Sequence, residues 1–222
     1  VRMADDRHLD LGCGKFPRNP YDRKTLCGVD IRPLQIEGVD YRPANLTLDP
    51  IPFDDDYFAS VSAFDFIEHV PRIFPTTDGR GTRAPFIDVM NEVWRVLAPG
   101  GRFYAITPAW PHPQAFADPT HVNIITEDTV NYFCGDNPLG RMYGFTGTFK
   151  LLRQDWVNPE QSRHADADNE ANALRVKRYA SGGKQLAQRW RHWSRRMRGK
   201  PEETFVDQFW LRWELEAVKP GR

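Results

Sequence analysis

The sequence lacks any apolar run long enough to span a bilayer, and no secretory signal opens it. It has no excess charge of either sign. Its 30 Lys and Arg balance 30 Asp and Glu, so global charge selects no partner. Cysteine is sparse: Cys13, Cys27 and Cys134 are an odd number without metal-ligand spacing, which implies free thiols in a reducing cytoplasm. Internal repeats and low-complexity tracts are absent. What remains is a chain of 222 residues, the size of one domain with a substantial core.

Within it, His8-Leu9-Asp10-Leu11-Gly12-Cys13-Gly14 reads as a buried strand that breaks at glycines. A second apolar run, Cys27-Gly28-Val29-Asp30-Ile31, ends in a carboxylate 18 residues after Gly12. Glycines let a ligand approach the backbone, and an acid at a strand end can grip ribose hydroxyls, so the pair suits a nucleoside. Further strands are expected at Ser60–Phe64 and Arg102–Thr107. Phe86, Val89, Met90, Val93 and Leu97 share one face of a predicted helix that Pro99-Gly100-Gly101 ends. Another helix is expected from Thr126, capped by its hydroxyl, with Glu127 and Asp128 at the positive end of its dipole. Alternating strands and helices predict an α/β fold built on a parallel sheet. Thr146–Leu152 and Phe205–Val218 read as two final strands that pair antiparallel.

Between these last strands lies a polar, helical-looking insertion at about 156–204, inside a single domain of 1–222. From Ala171 to Lys200 it holds ten Lys or Arg and no acid. Leu186, Trp190, Trp193 and Met197 form an apolar stripe at helical spacing, flanked by arginines. The favoured reading is an amphipathic helix docked on its own sheet or on a second subunit, so a homodimer is open; a surface for an acidic acceptor, a nucleotide-linked sugar, a phospholipid interface or RNA, is the sharper alternative.

Several of these segments together resemble class I S-adenosylmethionine-dependent methyltransferases of the type 11 kind. Asp10-Leu11-Gly12-Cys13-Gly14 resembles the first motif and Gly28-Val29-Asp30-Ile31 the second. Asn45-Leu46 with Ile51-Pro52-Phe53-Asp54-Asp55-Asp56-Tyr57-Phe58 resembles the third. Phe64-Asp65-Phe66-Ile67-Glu68-His69-Val70 resembles the strand-end motif over the methionine part, and Glu92 to Arg102 the helix-turn before the fifth strand. The likeness covers roughly residues 8 to 133. It implies a Rossmann-like, mostly parallel seven-stranded sheet with helices on both faces and an antiparallel final hairpin. It also implies S-adenosyl-L-methionine as cofactor. Asp10, Gly12, Cys13, Gly14 and Phe64 would then surround the methionine end, with the glycines at a helix N-terminus. Asp30 would hold the ribose, Ile31 would lie on the adenine face, and Asn45 and Leu46 at its edge. The sequence departs from the family at Phe16, where many members have a third glycine. Only seven residues precede the first strand, so the usual N-terminal helix over the site is missing or comes from elsewhere. Pro71 to Pro85 is long enough to contribute a lid.

Methyl transfer to a hydroxyl usually needs a base, and the candidates follow strands four and five. His121 is preferred and His69 second; each could instead only hold its own loop or turn. Cys13 reads as packed rather than nucleophilic. No metal is expected, because His112, Asp118 and His121 match no strong ligand spacing. Trp110 and Phe116 are expected to wall an acceptor pocket. The resulting expectation is a cytoplasmic methyltransferase acting on a small molecule or glycan precursor at oxygen. The rivals are an RNA methyltransferase, disfavoured by the lack of an Asn-Pro-Pro-Tyr-like segment, a cyclase or aminocarboxypropyl transferase using the same cofactor, and a non-catalytic nucleoside-binding subunit.

Overall fold

A computed structural model describes residues 6–160, 162–165 and 210–219. Seven strands form one sheet in the order β3-β2-β1-β4-β7-β9-β8. They are β1 (Arg7–Leu11), β2 (Thr25–Asp30), β3 (Asp40–Pro43), β4 (Phe58–Phe64), β7 (Leu97–Pro108), β8 (Phe149–Val157) and β9 (Trp210–Ala217). The first five pair in parallel; β9 runs antiparallel to both β7 and β8. A small second sheet, β5 (Phe74–Pro75) with β6 (Thr82–Arg83), lies in the segment expected to contribute a lid.

All seven positions of β4 are buried, as its run of apolar and small residues requires of a central parallel strand. Against the sheet lies α1 (Pro85–Val96), whose Phe86, Val89, Met90, Val93 and Val96 are buried. Proline opens it at a position whose backbone donor has no helical partner. The helix passes directly into β7 at Leu97, before the expected stop. Pro99-Gly100-Gly101 falls in the irregular stretch where the β4 register jumps from Leu97 to Arg102, with Gly100 at φ 75°.

Among the described residues α1 is the only α-helix, and shorter 3-10 turns stand where others were expected. The segment after Thr126 is one of them, Glu127–Tyr132, held by Thr126 N–H donating to Thr129 Oγ1 at 2.9 Å. A second departure matters more. The glycine turn after β1 opens no helix; residues 12–24 form a loop back to β2. Pro17 and Pro20 remove two backbone donors and bias the residues before them away from helix. The dipole of a helix N-terminus is therefore not available to a ligand at this turn.

Gly12 instead serves close packing. Its φ is +63°, and a Cβ there would lie 2.6 Å from Phe66 Cδ2. Gly12→Ala is expected to cost about 2–4 kcal/mol, from left-handed strain plus a clash with the ring. Denaturant melts check this, and an unchanged midpoint would contradict it. The apolar stripe of 186–197 and its flanking arginines lie outside the described residues, as does most of the 156–204 insertion.

Candidate functional site

The strand order reverses at β1, which connects outward to β2 while β4 lies on its other side. The carboxyl ends of β1, β2, β4 and β7 therefore meet at the switch point, the place where open α/β sheets take ligands. Gly12 and Gly14 follow β1, Asp30 ends β2, Phe64 ends β4, and the His69 and His121 segments follow β4 and β7. Phe66, packed on Gly12, joins the glycine turn to the turn that carries His69.

Asp10 is wholly buried in a polar chain. His8 donates from Nε2 to Ser62 Oγ at 2.8 Å, Ser62 donates to Asp10 Oδ1 at 2.6 Å, and the Arg18 N–H donates to Asp10 Oδ2 at 2.8 Å. Ser60 Oγ completes the set at 2.8 Å from His8 Nδ1. Burial lowers the His8 pKa to about 3, so the ring is neutral. Burial raises Asp10 to about 7, against the hydrogen bonds from Ser62 and Arg18. An acid whose folded pKa lies above its unfolded value costs stability as pH rises. Below about pH 4 both states are protonated and there is no penalty; it grows to about pH 7 and then levels off near 4 kcal/mol. Unfolding free energies of Asp10→Asn minus wild type should follow that curve, and a pH-independent difference would contradict it.

Asp30 is also almost wholly buried but keeps its charge. The Arg32 guanidinium holds its pKa below the usual carboxylate range, through Nε to Oδ1 at 2.8 Å and Nη2 to Oδ2 at 3.0 Å. The Arg32 and Gly14 backbone N–H groups donate to the same carboxylate at 3.1 and 2.9 Å. Asp30 thus ties the glycine turn to the end of β2. Arg32 lies over that turn, its Nη2 3.1 Å from where a Gly14 Cβ would be. Beside it, Ile31 is 66% exposed and free to cover a flat ring.

Cys13 packs against Gly28, whose missing side chain leaves its sulfur room. Burial raises the thiol pKa to about 12, which removes it as a nucleophile. Phe64 is buried beneath the Arg18 guanidinium, 4.7 Å from its ring centroid. Asn45 receives the Thr47 N–H on Oδ1 at 3.2 Å, an Asx turn after β3. Leu46 is buried in the core and also lines a separate cleft of about 330 Å³ with Asp49, Arg83 and Glu92. That cleft contains none of Asp10, Gly12, Gly14, Asp30, His69 or His121.

The two candidate bases, distant in sequence, meet. His69 and His121 contact edge to face, with ring centroids 4.8 Å apart. Three hydrogen bonds bring them there. Val122 and Asn123 N–H donate to the Glu68 carbonyl at 3.0 and 2.9 Å, and Asn123 Nδ2 donates to the Ile67 carbonyl at 2.9 Å. Each ring is also held at Nδ1: His69 by Thr120 Oγ1 at 3.0 Å, and His121 by the Ala115 carbonyl at 3.3 Å. Asp118 braces Thr120 through both its hydroxyl and its N–H. His112 lies apart, its ring centroid 6.0 Å from that of Trp210.

Sequence reasoning passed over Glu68. It is 1% exposed, Thr107 Oγ1 donates to its Oε2 at 2.8 Å, and Oε1 has no hydrogen-bond partner among the described residues. Burial raises its pKa to about 8. A Glu-His pair at a strand end signals little by itself, because only folding against Thr107 buries the acid. Asn123 was missed for the same reason. Asn123→Ala is expected to lose about 1–3 kcal/mol and free the His121 loop, readable as lower stability with reduced turnover. Unchanged values for both would contradict that role.

Residues 9–105 match a family described as a methyltransferase domain. No curated relative matches the chain. Similar solved structures include a chain of the complex between the Haloferax volcanii Trm112 methyltransferase activator and a methyltransferase. It is 15% identical, with a TM-score of 0.52 over 98% of this chain and 86% of that one. The [4+2]-cyclase SpnF is 16% identical, with a TM-score of 0.52 over 96% and 75%. The YcgJ protein from Bacillus subtilis is 16% identical, with a TM-score of 0.50 over 98% and 94%. The strand order agrees with these matches: residues 9–105, a little under half of the chain, are similar to a methyltransferase domain, and the chain shares the fold of these solved structures.

Proposed function

We propose that the protein methylates a hydroxyl of a small molecule or glycan precursor, with the His69–His121 pair taking the proton. The observation that carries this reading is the meeting of the two imidazoles beyond the carboxyl ends of β4 and β7. Both rings use Nδ1 to hold position, which leaves Nε2 for a substrate.

The chemistry of the switch point fits the cofactor. Asp30 is an ionised acceptor for the ribose diol, exposed Ile31 suits the adenine face, and an ammonium group nearby would favour the charged form of Asp10. With no helix at Gly14, the methionine carboxylate needs another cation, and exposed Arg18 beside Phe64 is placed for it. Asn45, in the turn after β3, is offered for the adenine edge, whereas buried Leu46 packs in the core and faces the separate cleft. S-adenosylmethionine supplies an activated methyl on a sulfonium, whose carbon–sulfur bond breaks with the pair returning to sulfur. The residues here orient the acceptor, exclude water and accept its proton at an imidazole nitrogen as the carbon–oxygen bond forms.

Exposed Trp110 and Phe116, in the loop that carries His121, suit the walls of a small-molecule pocket. Free cysteines and the absence of any membrane-crossing helix among the described residues agree with a cytoplasmic setting. The neighbour named a [4+2]-cyclase shows that fold alone leaves the reaction open. The test is product analysis with hydroxyl, amine and RNA acceptors. One demethylated cofactor per O-methyl product supports the proposal; methylated RNA or amine only, or cofactor turnover without a methylated product, overturns it.

A further inference from the structure

The histidine pair does not stand alone. A ligand atom from each of Glu68, His69 and His121 lies within 4.8 Å of the others. The geometry points to a divalent-cation site formed by these three side chains, for a cation that imidazole and carboxylate can both ligate, such as borderline Zn2+ or the harder Mn2+.

Three observations converge. The first is the donor set: two imidazoles and one carboxylate supply three protein ligands and leave positions open for a substrate oxygen. The second is the outer support. Metal-binding histidines commonly anchor one ring nitrogen to the protein so that the other faces the ion. Here both Nδ1 atoms are anchored, His121 to the Ala115 carbonyl and His69 to Thr120, with Asp118 behind. The third is the orphan. Glu68 is buried with Oε1 unpartnered, an arrangement that costs stability unless something satisfies it. Drawing ligands from 4.8 Å to the roughly 3.3 Å of a tetrahedral zinc site needs shifts of about 1 Å, within the reach of side-chain rotation.

This deepens the proposed hydroxyl methylation and rests on it for the cation's purpose. Held by Glu68, His69 and His121, a cation would make the acceptor hydroxyl more acidic, so that its proton could pass to a water on an open position of the site without an imidazole to take it. The histidines would then act by coordination. Sequence spacing did not reveal the site, because Glu68 and His69 come from one segment and His121 from another.

The test is calorimetric titration of chelator-stripped, dialysed protein with zinc chloride and with manganese chloride. It compares wild type, Glu68→Gln, His69→Ala, His121→Ala and, as an outside histidine, His112→Ala. One equivalent should bind wild type and His112→Ala with micromolar affinity or better, and at least tenfold more weakly in the other three. Thermal melts should show a cation-induced rise in the same two proteins, with circular dichroism confirming that all five are folded. No binding, or equal binding in all five, overturns the site. Stripped enzyme that keeps full turnover while His69→Ala and His121→Ala lose it overturns the cation and leaves the histidine base standing. Cation binding lost in all three variants, with no hydroxyl acceptor methylated, supports the site and contradicts oxygen methylation.

Discussion

Asp30→Ala should weaken binding of S-adenosylmethionine and of its demethylated product about 100-fold or more. Hydrogen bonds to an ionised carboxylate contribute about 1.5–3 kcal/mol each, and a ribose diol can make two. The substitution also removes the acceptor of the Gly14 N–H and frees Arg32 from the only carboxylate it contacts among the described residues. Both losses disturb the turn proposed to face the cofactor. Asp30→Asn keeps the shape but gives up the charge and one acceptor, so it should fall between. Calorimetry with the demethylated cofactor reads the effect, and unchanged circular dichroism guards against a folding defect. Affinity of Asp30→Ala within threefold of wild type would show that the ribose is held elsewhere.

The second large effect is on turnover. His121→Ala should lower kcat by about 100- to 10,000-fold, the range that positioned proton transfer supplies, with cofactor affinity unchanged. His69→Ala should act in the same direction. Because the rings touch and share one loop contact network, the double variant should fall well short of the product of the two single effects. Parallel loss of cofactor affinity would place the histidines in the wrong role. Undiminished turnover in the double variant would remove the base proposal altogether.

Much of this architecture is legible because its signals are local. Glycines after a buried strand, an acid ending the next, and one apolar face on 86–97 each need only a few neighbouring residues to be read. Other features were hidden because they depend on distant contacts. β3 has four residues, two of them charged and none fully buried, too short and polar for a period to register. The helix expected at Gly14 came from the family's habit, whereas Pro17 and Pro20 carried the contrary signal in plain view. Glu68 reads as an ordinary surface acid until Thr107 closes over it. His8 and Ser62 look like unremarkable strand residues, yet parallel pairing of β1 with β4 makes them the support of Asp10. The loops proposed to wall an acceptor pocket are least legible, since their shape follows from distant hydrogen bonds such as those of Asn123.

The most direct test is a crystal structure with the demethylated cofactor bound. The ribose hydroxyls should be on Asp30, the adenine against Ile31, and the sulfur turned toward the space before His69 and His121. A nucleoside found instead in the cleft between Leu46 and Glu92, with Asp30 still closed by Arg32 and the Gly14 N–H, would contradict the account.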